Sequence, residues 1–216
     1  MKNKKPLEQR SYSFDVRANE ENGTAILSGR PIVYNSLTDL GWFDEIIDAG
    51  ALDETDLKDV RFLVNHNTDM IPLARSRRNN DNSTMHLTAD SEGLSLDWVK
   101  LDTENNADAK ALYSAVQRGD ISGMSFMFSV DGEMWENLDS DHPTRHITKI
   151  GSIIELSAVT FPAYSETEIN ARNAQALESA RAALEKAKEQ RDLETVDTDK
   201  SNELELLKIK TLILGG

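Results

Sequence analysis

The stretch Arg118-Gly-Asp-Ile-Ser-Gly-Met-Ser-Phe-Met-Phe-Ser-Val130 decides the fold class. Phe126, Phe128 and Val130 alternate with their neighbours, the two-residue period of a strand with one buried face. Just upstream the period changes. Ala107, Ala111, Leu112, Ala115 and Val116 recur at helical spacing over 106–117, and Gly119 is placed to close that helix. Downstream, Asp131-Gly132 followed by Met134 and Trp135 reads as a hairpin turn. A helix therefore feeds directly into an apolar strand.

Moving outward, strand patterns dominate. Tyr12, Phe14 and Val16 alternate over 11–16, residues 24–35 form a second run, and Glu20-Glu-Asn-Gly23 is a turn. Residues 49–57 read as a short helix or turn. Residues 60–66 read as a buried strand ending on His66. Residues 84–88 and 93–101 make two more strands around a Ser-Glu-Gly turn, and 146–159 read as two strands interrupted at Gly151 and ended by Pro162. The expected class is mostly β with a few helices (α+β).

The composition shifts at Ser165. Ala, Glu, Lys, Arg and Gln dominate 166–194, and Leu177, Ala180, Leu184 and Ala187 leave only a thin apolar stripe. That pattern reads as a solvated helix or a partner-binding helix rather than a second core. A polar break at 196–201 precedes a short apolar terminus from Leu204 to Leu214. The expected organisation is a flexible arm over 1–10, a folded body over 11–165 and a charged helical tail over 166–216.

Charge and composition exclude several classes. The 216-residue chain carries a formal net charge of −14, which disfavours sequence-independent binding to nucleic acid, since phosphate attraction needs a basic face. There are no cysteines, so disulfides, thiolate zinc sites and cysteine nucleophiles are all ruled out. Met1-Lys-Asn-Lys-Lys-Pro6 has charge but no apolar run behind it, so no signal peptide is expected, and no stretch approaches the roughly 20 apolar residues of a membrane span.

A serine, a histidine and a carboxylate are the parts of a serine hydrolase, and here they occur in the order His, Ser, Glu, without a Gly-x-Ser-x-Gly elbow. His66 ends an apolar strand, where it is either a structural histidine bonded to a loop carbonyl or a general base. Ser125 follows Gly123, whose missing side chain would let a substrate approach the backbone. On the residues alone, however, Ser125 reads first as a strand serine satisfying a backbone group, and Ser122 is a rival nucleophile. Glu155 lies in Ile153-Ile-Glu-Leu156, where burying a carboxylate is costly unless it is paired. Strand alternation could instead turn it to solvent, and Asp69 is the competing acid. His142-Pro-Thr-Arg-His146 places two histidines four apart, but Pro143 argues against the helix that would make them a metal pair. Arg75-Ser-Arg-Arg78 is a local basic spot that could touch substrate, as could Asn65.

The chain resembles the prohead proteases of tailed bacteriophages, serine peptidases related to the herpesvirus assembly protease (assemblin). The resemblance runs from about Arg10 to about Arg172. It rests on Ser28-Gly-Arg-Pro-Ile-Val-Tyr-Asn35, Phe43-Asp-Glu-Ile-Ile-Asp-Ala-Gly-Ala-Leu52, Asp59-Val-Arg-Phe-Leu-Val-Asn-His66 and Gly93-Leu-Ser-Leu96, in that order. It continues through the segment from Arg118 to Phe128 and through Ile154-Glu-Leu-Ser-Ala-Val-Thr-Phe-Pro-Ala-Tyr164. The family's Ser-Phe-x-Phe pattern falls on Ser125, with Met127 where glycine is usual.

The resemblance implies an assemblin-like β-barrel protease domain over 11–165. It implies Ser125 as nucleophile, His66 as general base and Glu155 as the acid that orients it, with no cofactor and no metal. It further implies a serine endopeptidase packaged in the procapsid, in the host cytoplasm. Such an enzyme would cut scaffold segments, the N-terminal region of the major capsid protein, and itself. The herpesvirus relatives imply a homodimer. Two other classes fit the residues: a non-catalytic scaffolding protein that keeps the fold, and a small-molecule esterase.

Overall fold

The computed structural model describes residues 7–12, 16–160 and 178–193. In chain order the described residues form β1 (Leu7–Tyr12), β2 (Arg17–Glu21), β3 (Thr24–Val33), β4 (Thr38–Asp39), β5 (Asp44–Ile47) and β6 (Val60–Val64). These are followed by β7 (Ala74–Ser76), β8 (Met85–Asp90), β9 (Gly93–Leu101), α1 (Ala107–Arg118), β10 (Gly123–Glu136) and β11 (Thr144–Val159). Residues 178–193 are helical. None of the helices among the described residues is long and apolar enough to cross a membrane.

Two sheets result. The first runs β1-β10-β11-β5-β4, with β6 also paired to β11 and β7 to β6; the second runs β2-β3-β9-β8. The long strand β11 organises the first sheet. Its start pairs in parallel with β5, from Thr144 opposite Asp44 to Ile147 opposite Ile47. Its end pairs in parallel with β6, from Glu155 opposite Arg61 to Ala158 opposite Val64. Alternation on β10 sends Met124, Phe126 and Phe128 into the core, where they meet Leu156 and Phe62 from the same sheet, Leu27, Leu94 and Val99 from the second sheet, and Leu112 of α1. The same alternation leaves Ser125 on the opposite face of its strand.

The helix forms as its pattern predicts. The Asn106 side chain accepts from the backbone N–H groups of Asp108 and Ala109, satisfying donors that the first turn leaves open, and Gly119 closes the helix in the left-handed region at φ 78°. The mostly-β class holds, whereas the expected barrel is not seen. Among the described residues no strand pairs across from one sheet to the other. Side chains of both sheets meet in one core, and the described strands do not close into a barrel.

Several local expectations are corrected. Asp131-Gly132 is not a hairpin turn, because β10 continues through it. The pairing with β11 slips on either side of Gly132, so the extra residues form bulges that bend the strand. Gly151 does not interrupt β11. A Cβ there would lie 2.4 Å from Asp131 Oδ1 and 2.9 Å from Ser129 Oγ, so the glycine makes room for side chains crossing from β10 at the bend. Residues 49–54 are turns, one of the two readings of that segment.

Residues 7–10, read above as part of a flexible arm, belong to a strand. Leu7 to Tyr12 pairs along β10 from Ser129 to Met124. What fixes β1 there is a buried ionic cluster. Arg10 Nε donates to Glu45 Oε1 at 2.5 Å and its Nη2 to Glu8 Oε2 at 2.7 Å; Arg145 Nη1 donates to the same Glu8 oxygen at 2.7 Å and to Glu45 Oε2 at 3.0 Å. Arg145 is 1 % exposed, and its Nε reaches Glu133 at 2.6 Å. Two arginines and two glutamates thus tie β1, β5 and β11 together, with β10 at the rim.

The thin tail stripe has a use within the chain. Ala180 and Leu184 are buried against Phe43 and Trp135, Arg181 sits 5.4 Å from the Trp42 ring centre, and Arg191 pairs with Asp139 at 2.7 Å. The solvated helix expected from the sequence is therefore docked over 178–193. The stripe is thin because one alanine and one leucine suffice to meet an aromatic surface. Leu177, the boundary at 165/166 and the apolar terminus from Leu204 lie outside the described residues.

Candidate active site

Three separate elements bring polar side chains to one end of the first sheet. β10 supplies Ser125, β11 supplies Glu155 and Ser157, and the turn after β6 supplies His66. In the ladder, Ser125 stands opposite Ser157 on one side and opposite Ser11 of β1 on the other. Glu155 is two residues before Ser157, hence on the same face.

His66 occupies an uncommon backbone state. Asn65 and His66 both have positive φ, 49° and 55°, and the Asn67 N–H donates to Val64 O at 3.0 Å. Two left-handed residues in the centre of such a turn make the primed type, which Asn and His tolerate better than bulkier residues. The turn is clasped to the end of β11. The Asn65 N–H donates to Ala158 O at 2.9 Å, its side-chain amide donates to Thr160 Oγ1 at 3.0 Å, and its Oδ1 accepts from the Thr160 N–H at 2.9 Å. Asn65, considered above as a substrate contact, is thus occupied in holding the turn.

The clasp aims the imidazole along the sheet. His66 Nε2 lies 2.5 Å from Ser125 Oγ, and His66 Nδ1 is hydrogen-bonded to Glu155 Oε1. Ser125, His66 and Glu155 are 0 %, 4 % and 3 % exposed. An ionised carboxylate only accepts, so Nδ1 carries the proton and Nε2 presents its lone pair to the serine. Such an arrangement can take a proton from Ser125 as its oxygen attacks, while the carboxylate stabilises the imidazolium. Ser125 Oγ also accepts from Ser11 Oγ at 2.8 Å and stands 2.7 Å from the Arg10 carbonyl. Its single proton therefore has two acceptors to choose from, the histidine and the β1 backbone.

The rival residues are placed elsewhere. Ser122 is exposed and precedes β10, and Asp69 is exposed in the loop after His66. Arg75 is committed to Asp59 at 2.6 and 2.8 Å, tying β7 to the start of β6, and Arg77 to the Asn82 carbonyl at 2.8 Å, bracing its own loop. His142 and His146 do not converge. His142 faces Asp44 at 3.1 Å and His146 faces Asp48 at 2.8 Å. Asp39, Asp44 and His142 do bring one potential ligand atom each within 4.8 Å of one another, in a partly exposed group already accounted for by its internal ion pairs.

The sequence reading missed Ser11 and Ser157. Ser11 directly follows the 1–10 stretch that reads as an arm. Ser157 is a small polar residue in the apolar run Leu156-Ser-Ala-Val159, and its opposition to Ser125 is set by a register that only pairing reveals.

No curated protein and no solved structure gives a significant match to the chain. The family model described as caudovirus prohead serine protease matches residues 12–181, which include every residue of the cluster except Ser11. On that match, which spans most of its length, the chain belongs to the caudovirus prohead serine protease family, whose role is capsid maturation.

Proposed function

We propose that the chain is an active serine endopeptidase of head maturation, with Ser125 as nucleophile, His66 as general base and Glu155 as the acid that orients it. One observation carries this reading. Ser125, His66 and Glu155 form a continuous hydrogen-bonded relay although the pairs are 59 and 89 residues apart in sequence. In the reaction, Ser125 Oγ attacks the carbonyl carbon of a peptide bond and its proton passes to His66 Nε2. The tetrahedral intermediate collapses, and the proton moves on to the leaving amine. Water, deprotonated by the same histidine, then releases the acyl group from Ser125.

The substrates we infer are scaffold segments, the N-terminal region of the major capsid protein, and the protease chain itself. The reaction would take place inside the procapsid, in the host cytoplasm, with the C-terminal tail recruiting the protease to coat or scaffold. The part of the tail docked on Phe43 and Trp135 would then present its outer, charged face. The test is intact-mass analysis of the major capsid protein expressed alone and together with this chain. A shortened capsid protein and a shortened protease in the co-expressed sample are expected. Full-length masses for both, in particles that have demonstrably assembled, would overturn the proposal.

A further inference from the structure

The hydroxyl of Ser157 is 0 % exposed and makes two hydrogen bonds. It accepts from the backbone N–H of His66 at 3.1 Å and donates to Glu155 Oε2 at 2.6 Å. Glu155 Oε1 takes Nδ1 of the same histidine. The bonds therefore form a closed ring that leaves His66 through its main chain, passes through Ser157 and the Glu155 carboxylate, and returns to His66 through its side chain.

We infer that Ser157 is a positioning residue for this site, holding the imidazole and the carboxylate in one geometry; the inference rests on the peptidase reading above. A hydroxyl is the smallest side chain that both donates and accepts, and both functions are used here. As donor it occupies the oxygen of Glu155 that faces away from the histidine, so the carboxylate cannot rotate without losing a charge-assisted bond. As acceptor it takes the N–H of a residue in the left-handed region, which has left the sheet ladder. The backbone and the ring of His66 are thereby referred to the same group, and Nε2 is aimed at Ser125 from a fixed base. Alanine at 157 would leave two buried polar groups each short of a partner.

The experiment compares wild type, Ser157→Ala and Ser157→Thr in the full-length chain. A fluorophosphonate reports covalent labelling of Ser125, and a peptide substrate reports kcat and KM. For Ser157→Ala we expect labelling and kcat to fall about 10- to 100-fold, the rate equivalent of one hydrogen bond to a charged group, with KM within about twofold. Ser157→Thr keeps the hydroxyl on a strand-favouring side chain and should recover most of the rate. The downfield proton resonance of the His66 Nδ1–H should move in the alanine variant and return in the threonine variant. The inference is overturned if Ser157→Ala labels at the wild-type rate, or if the resonance is unchanged in a folded alanine variant. Equal loss in both variants, each with an intact fold, would overturn it too. Wild type that labels nowhere would instead sink the peptidase reading itself.

Discussion

Ser125→Ala is expected to lower peptide hydrolysis by about 10⁴-fold or more and to abolish trimming of co-expressed capsid protein. The hydroxyl removed is the one at 2.5 Å from His66 Nε2, and the exposed Ser122 stands outside the relay. Ser122→Ala should accordingly keep activity within about twofold, the usual scatter for a surface change. The fold should survive Ser125→Ala, because the residue sits in a ladder whose backbone bonds to β1 and β11 do not use its side chain. Glu155→Gln is the companion test. A neutral amide no longer stabilises imidazolium and can stabilise the wrong tautomer, for a loss on the order of 10⁴ in kcat. Trimming by Ser125→Ala equal to wild type would remove this serine from the mechanism and direct attention to Ser122.

The second large effect concerns stability. Arg145→Met should destabilise the folded chain by about 3–5 kcal/mol, because it strips a partner from buried carboxylates while their charge remains. That corresponds to a fall in Tm of about 6–20 °C for a domain of this size, readable by circular dichroism. Arg145→Lys should rescue little, since one ammonium cannot reproduce the fork that meets Glu8, Glu45 and Glu133 together. Combining Arg145→Met with Glu8→Gln should cost less than the sum of the two, because the second change removes a charge the first one orphaned.

The same cluster sets an acid limit. Burial alone would raise the Glu8 carboxyl, but hydrogen bonding from Arg145 and the charges of Arg10 and Arg145 outweigh it and hold Glu8 below its ordinary 4.5. Between the folded value and 4.5 the unfolded chain binds more protons, so stability rises with pH in that window. The contribution is complete above 4.5 and is lost as pH falls through the folded value. Despite burial, the neighbouring carboxylates of Glu45 and Glu8 push both arginines above their ordinary range, so they stay charged throughout and add no slope. A Tm that stayed flat on acidification from pH 5 to pH 3 would contradict this account.

How far the sequence could be read depended on whether a side chain's burial matched its polarity. The alternation of Phe126 and Phe128 and the helix closed by Gly119 were legible because apolar positions were the buried ones. β1 was illegible for the opposite reason. Its inward positions carry Glu8 and Arg10, which satisfy each other in three dimensions through Glu45 and Arg145, so an edge strand reads as a polar arm. Asp131-Gly132 gave a true turn signal that the continuity of β11 overrode as bulges. The barrel expectation comes from resemblance rather than pattern, and no periodicity distinguishes one closed sheet from two separate ones. Within the candidate site, His66, Ser125 and Glu155 stand out through motif resemblance. The anomaly of a carboxylate in an apolar run was the one intrinsic signal, and Ser157 gave none.

The pairing of β1 with β10 also bears on when the site can exist. Arg10 meets Ser125 across 115 residues of chain, and the main chain of His66 meets Ser157 across 91. Contacts this distant in sequence require long loops to close, so they are expected to form late in folding. During synthesis the strand that flanks Ser125 emerges first, and the strand that anchors His66 emerges more than a hundred residues later. A nascent chain ending before β11 has the serine but neither the carboxylate nor its hydroxyl partner. On the peptidase reading, the site is therefore incomplete on the ribosome until nearly the whole body has been made, a delay written into the order of its strands.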